Sequence, residues 1–181
     1  MKLIDHPARF KVGARVLMLK SRNKDGVGEQ RTILRTSYNT NLFETQLSSL
    51  AAIAREGERI YASAGPRDLK RAVRLFKERQ LAADYDTDPI AFYRDLQTRW
   101  ESCMMHPTAQ EEKLWLFDCD SEPELAETMA ALGAHYDRPM EPYTYPTKSG
   151  HHVVTQPFDR SKLPAAVSKK LNDNAIMLWA Y

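Results

Sequence analysis

The sequence predicts a mixed α/β fold of the α+β kind, with a single, mostly antiparallel sheet covered by helices. Three observations carry that expectation. Short β-branched or apolar runs alternate with amphipathic runs of helical period. Pro, Gly and Asn/Asp/Ser signals punctuate them. The 181 residues, 43% hydrophobic and 28% charged, have the size and mixture of one domain spanning 1–181. A chain of that length buries about 70% of its unfolded surface, enough for an independent fold.

The elements follow in order. Residues 14–19 open as an apolar strand, and the polar, glycine-containing KSRNKDGVGE at 20–29 predicts a mobile loop. RTILRTSY at 31–38 alternates apolar and polar residues with β-branched side chains and predicts a second strand. SSLAAIAREG predicts a helix started at Ser48 and stopped at Gly57. ERIYAS at 58–63 is the next strand, ended by the Gly65-Pro66 turn, with Pro66 at the first position of a helix over 66–83. Asp88 caps a further helix to about Cys103, whose apolar stripe is Ile90, Phe92, Tyr93, Leu96 and Trp100. KLWLFDCDS at 113–121 reads as a buried strand ending in acids, and EPELAETMAALGAH as a helix started by Ser121 and stopped by Gly133. PYTYPTKSG and HHVVTQPFD follow, then a short helix at 161–171 and a terminal strand, AIMLWAY.

The 26 Lys and Arg nearly balance the 24 Asp and Glu, so a net charge of +2 provides no chain-wide field toward nucleic acid or membrane. Any basic surface is local. No run approaches the roughly 20 apolar residues that span a bilayer, and residues 1–11 lack the apolar stretch of a signal peptide, so a soluble, cytoplasmic protein without a membrane partner is expected. Cys103 and Cys119 form no C-x-x-C pair and read as ordinary thiols.

The sharpest local feature is WLFDCDS. Asp118 and Asp120, one residue apart at the end of an apolar strand, project to the same side because strand side chains alternate with period two. Like charges so close are costly unless a cation neutralises them, and Mg²⁺ or Mn²⁺ is held by carboxylates together with water or phosphate oxygens. The same residues also suit a structural role, with Asp120 and Ser121 capping the next helix and Asp118 paired to a basic side chain. The second feature is TKSGHHVVT. Lys148 and Ser149 in a glycine-containing turn, followed by His151 and His152, offer an ammonium, a hydroxyl, backbone N–H groups and imidazoles to a phosphate. A solvated turn with His151 exposed and His152 in the core fits the same pattern.

Together, the D-x-D strand and the Ser-Gly-His strand about 30 residues later resemble the core of the archaeo-eukaryotic primase (primase-polymerase) superfamily. The resemblance covers mainly residues 113–159. It implies an RRM-like catalytic core and a metal-dependent nucleotidyltransferase that uses Mg²⁺ or Mn²⁺, a nucleoside triphosphate and a DNA or RNA template. It implies metal ligation by Asp118 and Asp120, and triphosphate contacts from Ser149 and His152 with Lys148 and His151 as neighbours. A third metal carboxylate belongs to the family pattern. Asp159 and Asp173 are the candidates here, and Asp159 is preferred. Over most of its length the chain also resembles a group of small phage-type proteins, through ERIYASAGPRD, WLFDCDS, TKSGHHVVTQPFD and NDNAIMLWAY. That likeness carries no activity.

Local charge appears in residues 67–79, where Arg67, Lys70, Arg71, Arg74, Lys77 and Arg79 outnumber Asp68 and Glu78, while Leu69, Val73 and Phe76 supply a buried side. That face suits a nucleic-acid backbone, with Arg59 and Tyr61 on the preceding strand adding a cation and an aromatic. A plain solvated helix face is the alternative. A haloacid-dehalogenase-type phosphatase shares a D-x-D strand, but only 61 residues follow Asp120, too few for its later motifs. Two-histidine phosphoesterases and histidine-pair nicking enzymes need other spacings than His151-His152. The rival from another class is a non-enzymatic module that binds nucleic acid or protein.

Overall fold

The computed structural model describes residues 1–21, 31–81, 88–173 and 175–181. The fold is α+β with antiparallel sheets, as expected, but the strands form two four-stranded sheets rather than one. The chain divides into two compact units, Met1–Glu112 with Leu178–Tyr181, and Lys113–Met177. The reason is sequence-local pairing. A long helical stretch separates the early strands from the middle ones, and each of these groups pairs within itself, while the terminal strand alone returns to the first sheet.

The first unit carries β1 (Arg15–Ser21), β2 (Thr32–Ser37), α1 (Thr40–Ile53), β3 (Glu58–Ser63), α2 (Leu69–Leu81), α3 (Pro89–Arg94) and α4 (Leu96–Met105). β1 lies between β2 and β3, with Met18 opposite Leu34 on one side and Tyr61 on the other. Val16 and Leu34 share a cluster with Leu69 and Ala72 of α2 and Trp100 and Met104 of α4. α1 packs against β1, β2 and β3 through Phe43, Leu47 and Leu50, spaced on one helical face. Lys20 and Ser21 continue β1; the rest of the predicted 20–29 loop lies outside the described residues.

Several boundaries differ from expectation, each for a local reason. α1 starts at Asn39, whose side chain accepts from Leu42 N at 2.8 Å, so Ser48 is interior; Gly57, at φ +80°, makes the turn into β3 instead. α2 starts after Asp68 rather than at Pro66, because Arg67 N still donates to Ala14 O and Asp68 Oδ1 then takes Arg71 N. Its buried side is Leu69, Ala72 and Phe76, and Val73, one position out of phase, is exposed. Asp88 caps α3 as expected, but the helix breaks at Asp95, and the lost phase leaves Ile90 and Tyr93 exposed while Phe92 is buried.

The second unit carries β4 (Trp115–Cys119), α5 (Glu122–His135), β5 (Tyr143–Pro146), β6 (His151–Thr155), α6 (Ala165–Ser168) and β7 (Leu171–Asn172), with spatial order β5-β6-β4-β7. β6 is antiparallel to both β4 and β5, so β4 and β5 run parallel with β6 inserted between them. That is a split β-α-β connection. Its core joins Trp115, Phe117 and Cys119 of β4 to Val153 of β6, Leu132 of α5, Phe158, Leu163 and Val167. Each fully buried side chain of the size of Phe117 contributes about 1.5–3 kcal/mol. Gly133 does not stop α5, because it keeps a helical conformation; the chain turns extended at Tyr136, whose OH donates to Met140 O at 2.6 Å. The terminal strand β8 (Ile176–Ala180) completes the first sheet in the order β2-β1-β3-β8.

Candidate functional site

The alternation of β4 sorts its side chains. Trp115, Phe117 and Cys119 enter the core of the second unit, which leaves Leu116 and Asp118 for the opposite face, while Asp120 lies in the bend just after the strand. Asp118 keeps 62% of its side chain exposed. The N-terminus of α5 is capped without the Asp120 carboxylate: Ser121 Oγ accepts from Glu124 N at 3.4 Å, and Glu124 Oε2 accepts from Asp120 N at 2.9 Å. The capping role that the sequence left open for Asp120 falls to Ser121 and Glu124.

The β5–β6 hairpin brings the second motif to the same place. Thr147 N donates to Gly150 O at 2.7 Å, leaving Lys148 and Ser149 exposed at the tip. Gly150 lies directly against the end of β4. A Cβ there would stand 2.2 Å from Cys119 O and 2.9 Å from Asp120 Cα, so only glycine permits the approach. The register then sets His152 opposite Asp118 and His151 opposite Cys119. His152 Nε2 lies 3.3 Å from Asp118 Oδ1, and its Nδ1 lies 2.7 Å from the hydroxyl of Tyr145, its partner on β5. Asp118 and His152 therefore share one face of the sheet, with the Lys148-Ser149 tip in the same hairpin and the exposed Asp120 in the bend just past the end of β4.

His151 does not join them. Adjacent strand residues point oppositely, and its Nδ1 approaches Glu122 Oε1 of α5 at 3.5 Å. Asp159 is committed elsewhere: its carboxylate accepts from Ser161 Oγ at 2.7 Å and Ser161 N at 3.1 Å, hydrogen bonds that hold it below the usual carboxylate range. Among the described residues no group of three or more His, Cys, Asp and Glu forms a metal-holding cluster. Asp118 and the neighbouring Asp120 could each offer a hard carboxylate oxygen to a cation such as Mg²⁺ or Mn²⁺, which also takes water and phosphate oxygens. The two thiols, Cys103 and Cys119, are buried, and burial raises both above the ordinary thiol value.

The basic residues lie in the first unit. Lys70, Arg71, Arg74 and Lys77 are exposed on α2, with Arg71 paired to Asp68 at 3.2 Å and Arg74 to Glu78 at 3.0 Å. Arg59 and Tyr61 are half-buried on the same face of β3, opposite Lys20 and Met18. Arg67 is not on the exposed face at all. It is 2% exposed, its Nε and Nη1 lack a hydrogen-bond partner, and burial lowers its pKa to about 10. Its backbone bridges Ala14 and Gln110, a long-range constraint that draws the side chain inward.

Tyr145 is the site residue that the sequence reading missed. The signal was present: a hairpin whose tip is Lys148-Ser149 pairs position 145 with 152. No protein-family model, curated protein or solved structure matches the chain.

Proposed function

We propose that this chain is a metal-dependent nucleotidyltransferase of the primase-polymerase type, acting inside the cell on a nucleic-acid template. One observation carries the reading. The D-x-D strand end and the Ser-Gly-His strand, which the resemblance requires to form one site, are neighbouring strands with Asp118 and His152 in direct register on one face. The order of β4 through β7 supports the RRM-like core that the resemblance implies.

In this reading Asp118 and Asp120 hold Mg²⁺ or Mn²⁺. When bound, the ion would neutralise the triphosphate and activate a primer 3′-hydroxyl. Lys148 and Ser149 at the hairpin tip contact the outer phosphates, and His152 donates an N–H to a phosphate oxygen. Asp159 is hydrogen-bonded to Ser161, so in this reading the third carboxylate of the family pattern is not supplied by it, and the ion would take its remaining ligands from water and substrate oxygens. On the first unit, the exposed cations of α2, together with Arg59 and Tyr61, form a surface for a nucleic-acid backbone.

The test is incorporation of labelled nucleotides on a single-stranded template with Mn²⁺, comparing the native chain with the double variant Asp118→Asn, Asp120→Asn. Product from the native chain alone supports the reading; equal product from both, or none from either across templates, removes it. The exposed cations of α2 favour one second reading, a non-enzymatic nucleic-acid-binding module. Salt-sensitive template binding that is unchanged in the double variant, with no product, would select it.

A further inference from the structure

The hydrogen-bonded row across β5, β6 and β4 extends the site to a residue with no part in the motifs. Tyr145, His152 and Asp118 are consecutive cross-strand partners. They run from a phenol only 1% exposed, through an imidazole side chain at 12%, to a carboxylate at 62%. The Tyr145 and His152 rings meet edge-on, with centroids 5.1 Å apart at 78°, and Tyr143 stacks on Tyr145 at 5.6 Å. The imidazole therefore has two fixed neighbours, the hydroxyl at Nδ1 and the carboxylate at Nε2.

Their chemistry orders the protons. An ionised carboxylate only accepts, so the neutral ring carries its hydrogen on Nε2, facing Asp118. Nδ1 then presents a lone pair, and the Tyr145 hydroxyl must donate to it. We propose that Tyr145 is a positioning residue that fixes His152 as the Nε2–H tautomer and aims that N–H along the sheet face toward Asp118. Its consequence rests on the nucleotidyltransferase reading. When a cation engages the Asp118 carboxylate, Asp118 no longer has to hold the proton in place; Tyr145 still does, and the same N–H is free to donate to a triphosphate oxygen. Without the phenol, the ring can take either tautomer and can turn about its side-chain bonds.

The test is ¹⁵N NMR of the imidazoles, read above the end of their observed titration, with His152 assigned through His152→Gln. The native chain should show the Nε2–H tautomer at His152. Tyr145→Phe, which keeps the ring and its packing, should show mixed tautomers and about tenfold weaker binding of Mn²⁺ with a nucleoside triphosphate, the size expected for one hydrogen bond to a charged group. Binding of Mn²⁺ alone should not change. A native Nδ1–H tautomer, or a Tyr145→Phe protein with unchanged tautomer and unchanged triphosphate affinity, overturns the proposal. If the tautomer responds as stated but the native chain binds no triphosphate, the positioning role stands and the nucleotidyltransferase reading falls.

Discussion

The exposed side of Asp118 was legible because period two is a property of any strand, whereas β4 ends at Cys119 and the rule does not reach Asp120. The same rule separates His151 from His152, and so predicts that only one of the two histidines serves a site on the Asp118 face. Gly150 is the residue that joins the motifs, since its missing Cβ lets the hairpin lie on the backbone of Cys119 and Asp120. Gly150→Ala is expected to cost about 1–3 kcal/mol, the usual range for forced overpacking, read as a lower urea midpoint. It should also weaken triphosphate binding, because the tip is pushed away from the carboxylates. Arg67 was not legible. Its place depends on backbone bridges to Ala14 and Gln110, far apart in sequence, and a run of cations does not reveal which member turns inward. Arg67→Met is expected to leave template affinity unchanged and stability equal or higher, since the buried guanidinium lacks partners at Nε and Nη1. A loss of template affinity in that variant would show that the residue reaches the ligand.

At the scale of elements, strands were easier to read than helix ends. β3 matches its expected residues because ERIYAS sits between two turn signals, whereas the starts of α1 and α2 depended on which of several polar residues finds an N–H to accept from. The two-residue β7 was not foreseen, since Leu171-Asn172 carries no periodic pattern and pairs only because β4 offers an edge. The mouth of the first sheet is held by a clamp between the start of β2 and the start of β3. Arg31 donates to both oxygens of Glu58, at 2.9 and 2.7 Å, and Arg55 N donates to Oε2 at 2.8 Å. The Arg31 hydrogen bonds hold the Glu58 carboxyl below its ordinary range against the opposing effect of burial. The folded chain thus binds that proton less tightly than the unfolded chain. The contribution is full above the ordinary carboxylate range and is lost as pH falls through the folded-state value. Arg31→Met should lower stability at neutral pH by about 1–3 kcal/mol, with the gap from the native chain narrowing on acidification when urea midpoints are followed against pH.

For the whole molecule, a net charge of +2 conceals opposed local features. The second unit ends its central strand in two exposed carboxylates, and the first carries an exposed basic helix. The predicted class of fold held because alternating strand and helix periods report it directly, but the division of the strands into two sheets was hidden, since pairing partners are not written into either period. Arg71 and Arg74 are already paired, to Asp68 and Glu78, while Lys70 and Lys77 have no ion pair among the described residues. If α2 receives the template, Lys70→Ala with Lys77→Ala should weaken binding at all sequences alike and reduce the steepness of its salt dependence by about 1–2 units of log–log slope. Unchanged salt dependence would place the template elsewhere.

The most direct measurement of the central claim is calorimetric titration of Mn²⁺ with a nucleoside triphosphate into the native chain and into the Asp118→Asn, Asp120→Asn variant. Saturable binding by the native chain that needs both ligands, and is lost in the variant whose fold is intact by circular dichroism, is the predicted result. Equal binding by both proteins, or none by the native chain, would contradict it.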